Sequence, residues 1–446
     1  MADGNVSVAI IGGGFSGAML AARLAEKGIG STLIDRTGAF GPGVAYSTEF
    51  ERHLLNVRSN RMGAVEGRPA DFLRWLEARH PRQADPDGFA PRRLYGLYVK
   101  DRLAAAEAMH PGLIKRVTGE AAAVERTTVR LSDGRRVEAG SVVLTTGNPA
   151  PRTAGRSAGS DRILGDPWAT GALDAIGPDE DVVIIGTGLT MVDMVLWLQA
   201  RGWRGKATAL SRRGLKPRAH GARHDAPVPP TPGLTAGSLS SRLAEGRRLA
   251  KANEWRGVME GLRPLTADLW ARAGAVDRAR FLRHLRPWWD VHRHRIPPAI
   301  DLTITAMETS GRLEIVAGRI DRIDQAGDGV AVTWKPRTGG ERPPLRGAWL
   351  IDCSGPGHDP ASDPLLGPLL ASGRARLEAL GLGLDLDEAG RVIGADGTAD
   401  PKLFVLGPPA RAAFWETTAV PDIRKRIETL VAALSSPPPR IGPAGQ

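Results

Sequence analysis

Short, almost unbroken apolar runs alternate along this chain with stretches whose apolar residues recur at helical spacing. The first kind reads as strands buried on both faces, the second as helices that cover them. The pattern opens at Val6 with "VSVAIIGGGFSGAML": a strand, a glycine turn and a helix start. "STLID" follows as a second strand, so residues 6–35 read β-turn-α-β. The unit returns at Asp181 as "DVVIIGTGLTMVDM", and residues 181–213 read the same way. Residues 41–70, rich in Gly, Asn and Arg, read as a long loop, while 71–80 and 93–108 read as helices. "SVVLTTGNP", from Ser141, is a buried strand that ends in a turn.

Further on, "APVPPTPG", Ala226 to Gly233, can continue neither a helix nor a central strand and is a connector. From about Ser238 to Arg295 the pattern is helical and rich in Arg and Trp. Strands return at 312–323, 329–335 and 348–353, and "LFVLGPP" (Leu403 to Pro409) precedes a last helix near Pro421 to Leu434. The tail "SSPPPRIGPAGQ" reads as disordered. This alternation predicts an α/β fold with layered sheets.

Composition narrows the class. A chain of 446 residues can fold as two or three compact units. Neither a signal-peptide pattern nor an apolar window long enough to span a membrane is found, so a cytoplasmic protein without membrane contact is expected. The single cysteine, Cys353, rules out an internal disulfide and fits a reducing compartment. The formal charge is +11, carried mostly by Arg. Nucleic acid would call for a basic stripe or stacking aromatics, and aromatics make up only 5% of the chain. Positive potential that draws in an anionic cofactor or substrate is the better reading.

Candidate chemistry sits at the two glycine turns. Gly12, Gly14 and Gly17 form G-x-G-x-x-G directly after a strand, with Phe15 and Ser16 between them. The first glycine permits the turn, the second lets the backbone approach a pyrophosphate, and the third allows helix to pack on strand. Asp35 ends the next strand at the spacing expected for a carboxylate that bonds ribose hydroxyls, with Arg36 beside it. The second turn keeps Gly186 and Gly188, followed by Leu189 and Thr190, but has Met191 in place of the third glycine. Its partner strand ends in Ser211, Arg212 and Arg213, where guanidinium groups suit a 2′-phosphate. The first site therefore suits FAD or NAD, and the second suits NADPH better than NADH. Two unlike sites in one chain point to hydride transfer between two cofactors.

What receives the electrons is less constrained. One cysteine cannot make the redox pair of a disulfide-reducing flavoprotein. Cys353 reads as a small buried residue at a strand end. "HRHR", His292 to Arg295, lacks the cysteine or carboxylate partners of a zinc site, so no metal is expected. "RHLRPWWDVHRHR", Arg283 to Arg295, reads either as a basic surface helix or as a cationic patch near the second nucleotide or the substrate. On the second reading His284, His292 and His294 are candidate proton donors near neutral pH, with Arg295 beside them.

Several stretches together resemble a known family. They include "GGGFSGAML", "GPGVAYST", "HLLNV", "PRRLYGLYV", "DPW", "GTGLTMVD", "SRRGLKPR", "LRPWWDVHRHR" and "WETTAVPDIR". Over about residues 6 to 430 the chain resembles the FAD/NAD(P)-binding flavoproteins that include an FAD-dependent urate hydroxylase and an aspartate N-monooxygenase. That resemblance implies two Rossmann-like dinucleotide-binding domains, with the NAD(P) domain inserted into the FAD domain. The FAD domain would span 1–175 and 351–435. The NAD(P) domain would span 176–350 with a helical insertion at 238–295, leaving 436–446 as the tail. The implied activity is hydroxylation of a small, nitrogen-containing, anionic substrate by FAD, NAD(P)H and O2, through a flavin C4a-hydroperoxide. Gly43, Val44, Ala45 and Tyr46 would line the flavin, Asn56 and Arg58 would reach cofactor or substrate, and Thr417 and Thr418 would sit by the ring system. Thr146, Gly147 and Gly407, at strand ends, complete the expected cofactor site. Two features depart from related flavoproteins: Gly407 is followed by Pro408 and Pro409 instead of an acidic ending, and no Baeyer–Villiger fingerprint with its histidine is present. The alternatives are an NAD(P)H:acceptor oxidoreductase without oxygen insertion and a non-catalytic FAD-binding sensor.

Overall fold

The computed structural model describes residues 7–149, 160–355, 357 and 359–435. The tail expected to be disordered, from residue 436, lies outside the described residues. Strands β1 (Val8–Ile11), β2 (Ser31–Asp35), β3 (Ile114–Thr118), β4 (Ala121–Glu125), β5 (Thr128–Leu131), β6 (Arg136–Glu138) and β7 (Ser141–Leu144) come first. Next are β8 (Ile163–Leu164), β9 (Val182–Ile185), β10 (Ala207–Ser211), β11 (Leu313–Ala326), β12 (Gly329–Pro336), β13 (Leu345–Gly347) and β14 (Trp349–Asp352), and β15 (Arg391–Ile393) and β16 (Ala399–Val405) close the series.

These strands form two large sheets. The first runs β15-β16-β7-β1-β2-β3 and is parallel except for β15. All four residues of β1 are buried, and they pair in parallel register with β2 on one side and β7 on the other. A continuous apolar run is what a strand covered on both faces requires. The second sheet runs β13-β12-β11-β10-β9-β14-β8. Its strands β11, β10, β9, β14 and β8 are parallel, and the long β11 continues into an antiparallel hairpin with β12. Every second-sheet strand lies in the chain between β7 and β16 of the first, so one α/β unit is inserted into the other. The inserted unit reaches back to Ile163, earlier than the expected border at 175/176, because β8 pairs with β14. It ends with β14 at Asp352. The small antiparallel sheet β4-β5-β6 covers one face of the first unit.

Helix Phe15–Ala25 joins β1 to β2 and packs against helices Arg92–Met109 and Val420–Ser435. Tyr95, Tyr98 and Phe72 are fully buried in that layer, each worth roughly 1.5–3 kcal/mol of burial. Helices Leu189–Ala200 and Pro298–Thr309 share the core of the second unit with Val182, Ile184 and Ile351.

The helical segment expected at 238–295 lies between β10 and β11. It contains helices Leu239–Ala252, Trp255–Leu262, Thr266–Arg272 and Ala275–Arg280, then a π-helical turn Phe281–Leu285 and helix Arg286–Arg293. Pro287 has no N–H to donate and sits at the start of that last helix, where none is needed. The segment is anchored on the first unit by Trp270, which stacks on Trp415 at 4.4 Å and donates to the Ala412 carbonyl at 2.8 Å.

A second tie links the units directly. Arg92 donates to both carboxylate oxygens of Asp193, at 2.8 and 3.2 Å, and to the Leu54 carbonyl at 3.0 Å. Buried His53 donates from Nε2 to the Asp193 carbonyl at 3.1 Å and accepts from the Thr48 hydroxyl at 2.8 Å.

Candidate functional site

The first glycine turn is tightly packed. A Cβ on Gly12, which has φ +112°, would lie 2.3 Å from the Thr145 carbonyl oxygen, and one on Gly17 would lie 2.0 Å from that of Gly12. Thr145 holds the turn by donating to the Gly12 carbonyl at 2.7 Å. No side chain caps the helix that starts at Phe15, so its first N–H groups are left to a ligand. The short helix Gly43–Tyr46 lies against this turn: a Cβ on Gly14 would be 3.4 Å from the Gly43 Cα. Asp35 accepts from the Gly13 N–H at 2.9 Å and from the Thr37 N–H and hydroxyl at 2.8 and 2.7 Å. A carboxylate has about four acceptor sites, so one is left for a ribose hydroxyl. Arg36 is exposed beside it. Gly407, at φ +80°, brings the end of β16 against Ser16, where a Cβ would stand 2.4 Å from the hydroxyl oxygen. The structure thus gathers Gly12, Gly14, Phe15, Ser16, Gly17, Asp35, Gly43 and Gly407 in one place. Exposed Thr146 and half-buried Gly147 follow β7 just past Thr145.

The second turn is open. Gly186, at φ +100°, touches the Cys353 carbonyl as Gly12 touches that of Thr145. Gly188 is exposed, and a Cβ there would meet nothing within 4 Å. Met191 is fully buried in the core, so the missing third glycine is a packing choice of this unit. No side chain caps the helix that begins with Leu189 and Thr190. Ser211 is occupied internally: its hydroxyl accepts from Thr187 at 2.9 Å and from the Gly214 N–H at 3.0 Å. Arg212 is exposed and Arg213 half-buried, and no ion pair holds either among the described residues. The cationic end of β10 is therefore Arg212 and Arg213, with Ser211 bracing the loop.

Between the two units lies a cleft. The first unit supplies Asn56, Arg58 and Arg61; the loop after β10 supplies His220, His224 and Asp225; the helical segment supplies Glu260, Arg263, Arg293 and Arg295. Arg295 pairs with Glu260 and, at 3.4 Å, with Asp225. Arg61 reaches Glu260 at 2.9 Å. Burial pushes the Glu260 carboxyl up, but Arg295, Arg263 and Arg61 outweigh it and hold it at about 2. Behind the lining, Arg293 faces Glu416 at 3.1 Å and Asp422 at 3.5 Å. His220 donates from Nε2 to the Asn56 carbonyl at 3.0 Å; burial, aided by Arg295, drives its pKa down to about 3. Burial and Arg61 lower His224 as well. A second, largely apolar cleft lies beside the helix that starts at Leu189 and shares Asn56 with the first.

The other expected residues scatter. His292 donates from Nδ1 to the Trp288 carbonyl at 2.7 Å and packs edge-on against Trp255. Neither His292 nor His294 lines the cleft, and burial lowers the pKa of both. Near pH 7 each is a neutral imidazole, which differs from the proton donors expected from sequence; the desolvation cost of the charged ring is the reason. His284 is exposed. The segment Arg283–Arg295 is thus split, with Arg293 and Arg295 in the cleft and the rest around it. Tyr46 packs on Tyr95 at 4.7 Å, and burial pushes its hydroxyl up to about 12, so it is a hydrogen-bond donor rather than an acid at neutral pH. Val44 is 68% exposed and Ala45 is exposed, beside the first turn. Thr417, just before helix Val420–Ser435, is buried with a hydroxyl that has no partner among the described residues, whereas Thr418 is exposed. The residue before Glu416, Trp415, has φ +30°, a region that bulky side chains rarely adopt.

The sequence reading missed Thr145, Arg92, Asp193, His220, His224 and most of the cleft arginines. The one local signal was "PRAHGARHD", two histidines after β10 and before the proline connector.

Comparison with known proteins fits this geometry. Residues 9–149 match a family described as FAD-NAD(P)-binding. No curated protein matches the chain by sequence. Solved structures do match over nearly the full length. An ornithine N-hydroxylase from Kutzneria sp. 744, with reduced FAD, NADP+ and L-ornithine, is 17% identical with a TM-score of 0.64, over 96% of this chain and 99% of its own. L-lysine 6-monooxygenase from Pseudomonas syringae is 17% identical with a TM-score of 0.63, over 96% and 99%. An FAD-bound cadaverine monooxygenase from Erwinia amylovora is 12% identical with a TM-score of 0.65, over 97% and 95%. At these identities the likeness is one of fold: two Rossmann-like units, one inserted into the other. Among the described residues, no helix is long and apolar enough to cross a membrane.

Proposed function

We propose that the protein is an FAD-dependent, NADPH-using monooxygenase that hydroxylates a small, nitrogen-containing, anionic substrate. The observation that carries this reading is the pair of unlike glycine cradles, one covered and one open, in two units that together line a charged cleft. The shared fold of three N-hydroxylating monooxygenases supports it.

The residues present fit the two cofactors. The tight glycine turn at Gly12 and Gly17, an uncapped helix start and the free acceptor site of Asp35 suit the pyrophosphate and ribose of FAD. Exposed Val44 and the unpartnered Thr417 hydroxyl are surfaces that a flavin ring would cover and satisfy. Gly188 with Arg212 and Arg213 suits a visiting NADPH. When bound, FAD accepts a hydride from NADPH and activates O2. The chain's own work is positional. Arg92 and Asp193 fix the second cradle against the first, and Asn56, which lines both clefts, could bond to cofactor or substrate. A cytoplasmic setting belongs to this reading, supported by the single, buried Cys353.

The test is stoichiometry. Purified protein should be yellow, and its oxidation of NADPH should be stimulated by small anionic amines or purines. Equal consumption of NADPH and O2, with a product heavier by one oxygen, is the expected outcome. Oxidation that proceeds without O2 would replace this reading by an acceptor reductase.

A further inference from the structure

The whole chain has three tyrosines, Tyr46, Tyr95 and Tyr98, and the fold sets all three in one line. The line starts at the first cradle, where the Tyr46 ring lies 6.4 Å from that of Phe15. Ring centroids are then 4.7 Å apart from Tyr46 to Tyr95, 5.5 Å from Tyr95 to Tyr98, and 5.9 Å from Tyr98 to Trp75. Tyr95 and Tyr98 stand at i and i+3 on helix Arg92–Met109, and Phe72 and Trp75 do so on helix Asp71–Arg79, so each pair shares a helix face. Gly96 permits the approach: a Cβ there would lie 2.4 Å from the Tyr46 carbonyl oxygen. Tyr95 and Tyr98 are fully buried, whereas Tyr46 and Trp75 are half-buried. The Trp75 indole N–H donates at 2.9 Å to Asp101, an exposed carboxylate, so this end of the line meets solvent.

Packing explains the rings but not their oxygens. The Tyr95 hydroxyl is buried with no hydrogen-bond partner among the described residues. Such a group costs about 1–3 kcal/mol, and a phenylalanine would fill the same space without that cost. A phenol ring, however, gives up an electron far more readily than a benzene ring. Tyr98 is equipped differently. Its hydroxyl donates to Asp71 at 2.6 Å and accepts from the Ala64 N–H at 3.0 Å. A phenol that loses an electron sheds its proton, and Asp71 stands ready to take it.

We propose that Tyr46, Tyr95 and Tyr98 form a one-electron relay from the first cradle to the Tyr98–Asp71 pair, with Trp75 as its outlet to solvent. The relay goes beyond the monooxygenase reading and requires only that an oxygen radical, or another strong one-electron oxidant, arises at that cradle. The oxidant gains one electron, drawn from Tyr98 through the rings of Tyr95 and Tyr46, and the Tyr98 proton moves to Asp71. Tyr95 keeps its proton, which has no acceptor beside it, so the radical rests on Tyr98. A small reductant such as ascorbate returns one electron by way of Trp75, and the proton comes back from Asp71. Oxidising equivalents are thereby led away from the cradle before they damage it.

Pulse radiolysis of the full chain tests the outlet. Azide radicals take one electron from accessible tryptophan rings, and among the described residues Trp75 is the only tryptophan in ring contact with a tyrosine. The tryptophan-radical band should fade as a tyrosyl band grows, at a rate independent of protein concentration. Trp75→Phe and Tyr98→Phe should each slow that growth about tenfold or more. Illumination of the flavin-loaded protein with ascorbate, in the absence of O2, tests the whole length, because light-excited flavin is then the oxidant and its bleaching is the readout. Tyr95→Phe should slow the bleaching about tenfold, while stability in urea holds or rises because an unpartnered hydroxyl has gone. A purely structural Tyr95 would leave the bleaching unchanged. Absence of a tyrosyl band, or growth as fast in both outlet variants as in the wild type, overturns the relay. So does bleaching that is equally fast in Tyr95→Phe, which would cut the cradle off from the line. Protein that binds no flavin would sink the monooxygenase reading alone, and the tyrosyl band would then still decide the relay.

Discussion

The two glycine cradles share a strand-turn-helix plan and differ in what stands in front of them. The first is shut. Its third glycine is packed on Gly12, and the Gly43 segment lies over Gly14, with a Cβ on Gly43 only 3.1 Å from the Gly14 Cα. The second is open: Gly188 faces empty space, and buried Met191 fills the place where the third glycine would allow close contact. Their outer ends differ as well, a carboxylate held by three donors at Asp35 against two free guanidiniums at Arg212 and Arg213. A covered cradle suits a ligand that stays and an open one suits a ligand that comes and goes. The glycine count alone does not separate these cases; the neighbouring backbone does.

The largest effect should come from cutting the tie between the cradles. Arg92→Ala leaves the Asp193 carboxylate buried without its partner, which costs about 3–5 kcal/mol. Urea unfolding should show the loss, and the two units should begin to unfold in separate steps. A single transition shifted by less than about 1 kcal/mol would mean that the units do not depend on this pair.

Acid and alkali should strike the units differently. In the folded state His220, which follows the second cradle, titrates at about 3 instead of 6.5. Its unfolded form therefore takes up a proton first, and stability falls as pH drops from about 6.5 towards 3. Tyr46, beside the first cradle, titrates at about 12 instead of 10, so stability that is complete below pH 10 is lost as pH rises through 12. The acid loss should be on the order of a few kcal/mol. In His220→Gln, chemical denaturation between pH 7.5 and 5 should show a shallower slope, with the alkaline limb unchanged. An equally steep acid limb would place the sensitive group elsewhere.

A matched pair of substitutions probes the cradles themselves. Gly17→Ala drives a Cβ onto the Gly12 carbonyl and should cost about 1–3 kcal/mol and most of the bound flavin, read as the ratio of flavin to protein absorbance. Gly188→Ala has room, so stability should change by less than about 0.5 kcal/mol and flavin should stay, while the KM for NADPH rises. Equal flavin loss in both variants would erase the distinction between covered and open.

Much of this contrast was legible in the sequence. β1 and β9 were readable because a strand covered on both faces has to be continuously apolar, and the glycines because the turns permit little else. Asp35 and the Arg212–Arg213 pair followed from chain spacing. The cleft was not readable. Its arginines come from three separate segments, around residues 60, 263 and 294, and each sits among many ordinary arginines in an Arg-rich chain. Only the folded chain separates Arg295, 3% exposed and paired, from the exposed Arg283 and His284 at the start of the same stretch. For the same reason His292 looked available from its spacing, whereas in the fold it faces Trp255 and the Trp288 carbonyl.

The smallest effect tests the open cradle's preference. Arg212 is exposed, so its pairing with a 2′-phosphate is screened by water and worth about 1 kcal/mol, and half-buried Arg213 should contribute about the same. Arg212→Ser with Arg213→Ser should raise the KM for NADPH about tenfold and leave that for NADH nearly unchanged, because NADH has no phosphate at that carbon. Raising salt should erode the wild-type preference and barely touch that of the double variant. A parallel rise in both KM values would mean that these arginines shape the loop that Ser211 braces through Thr187 and Gly214, and that something other than β10 reads the cofactor.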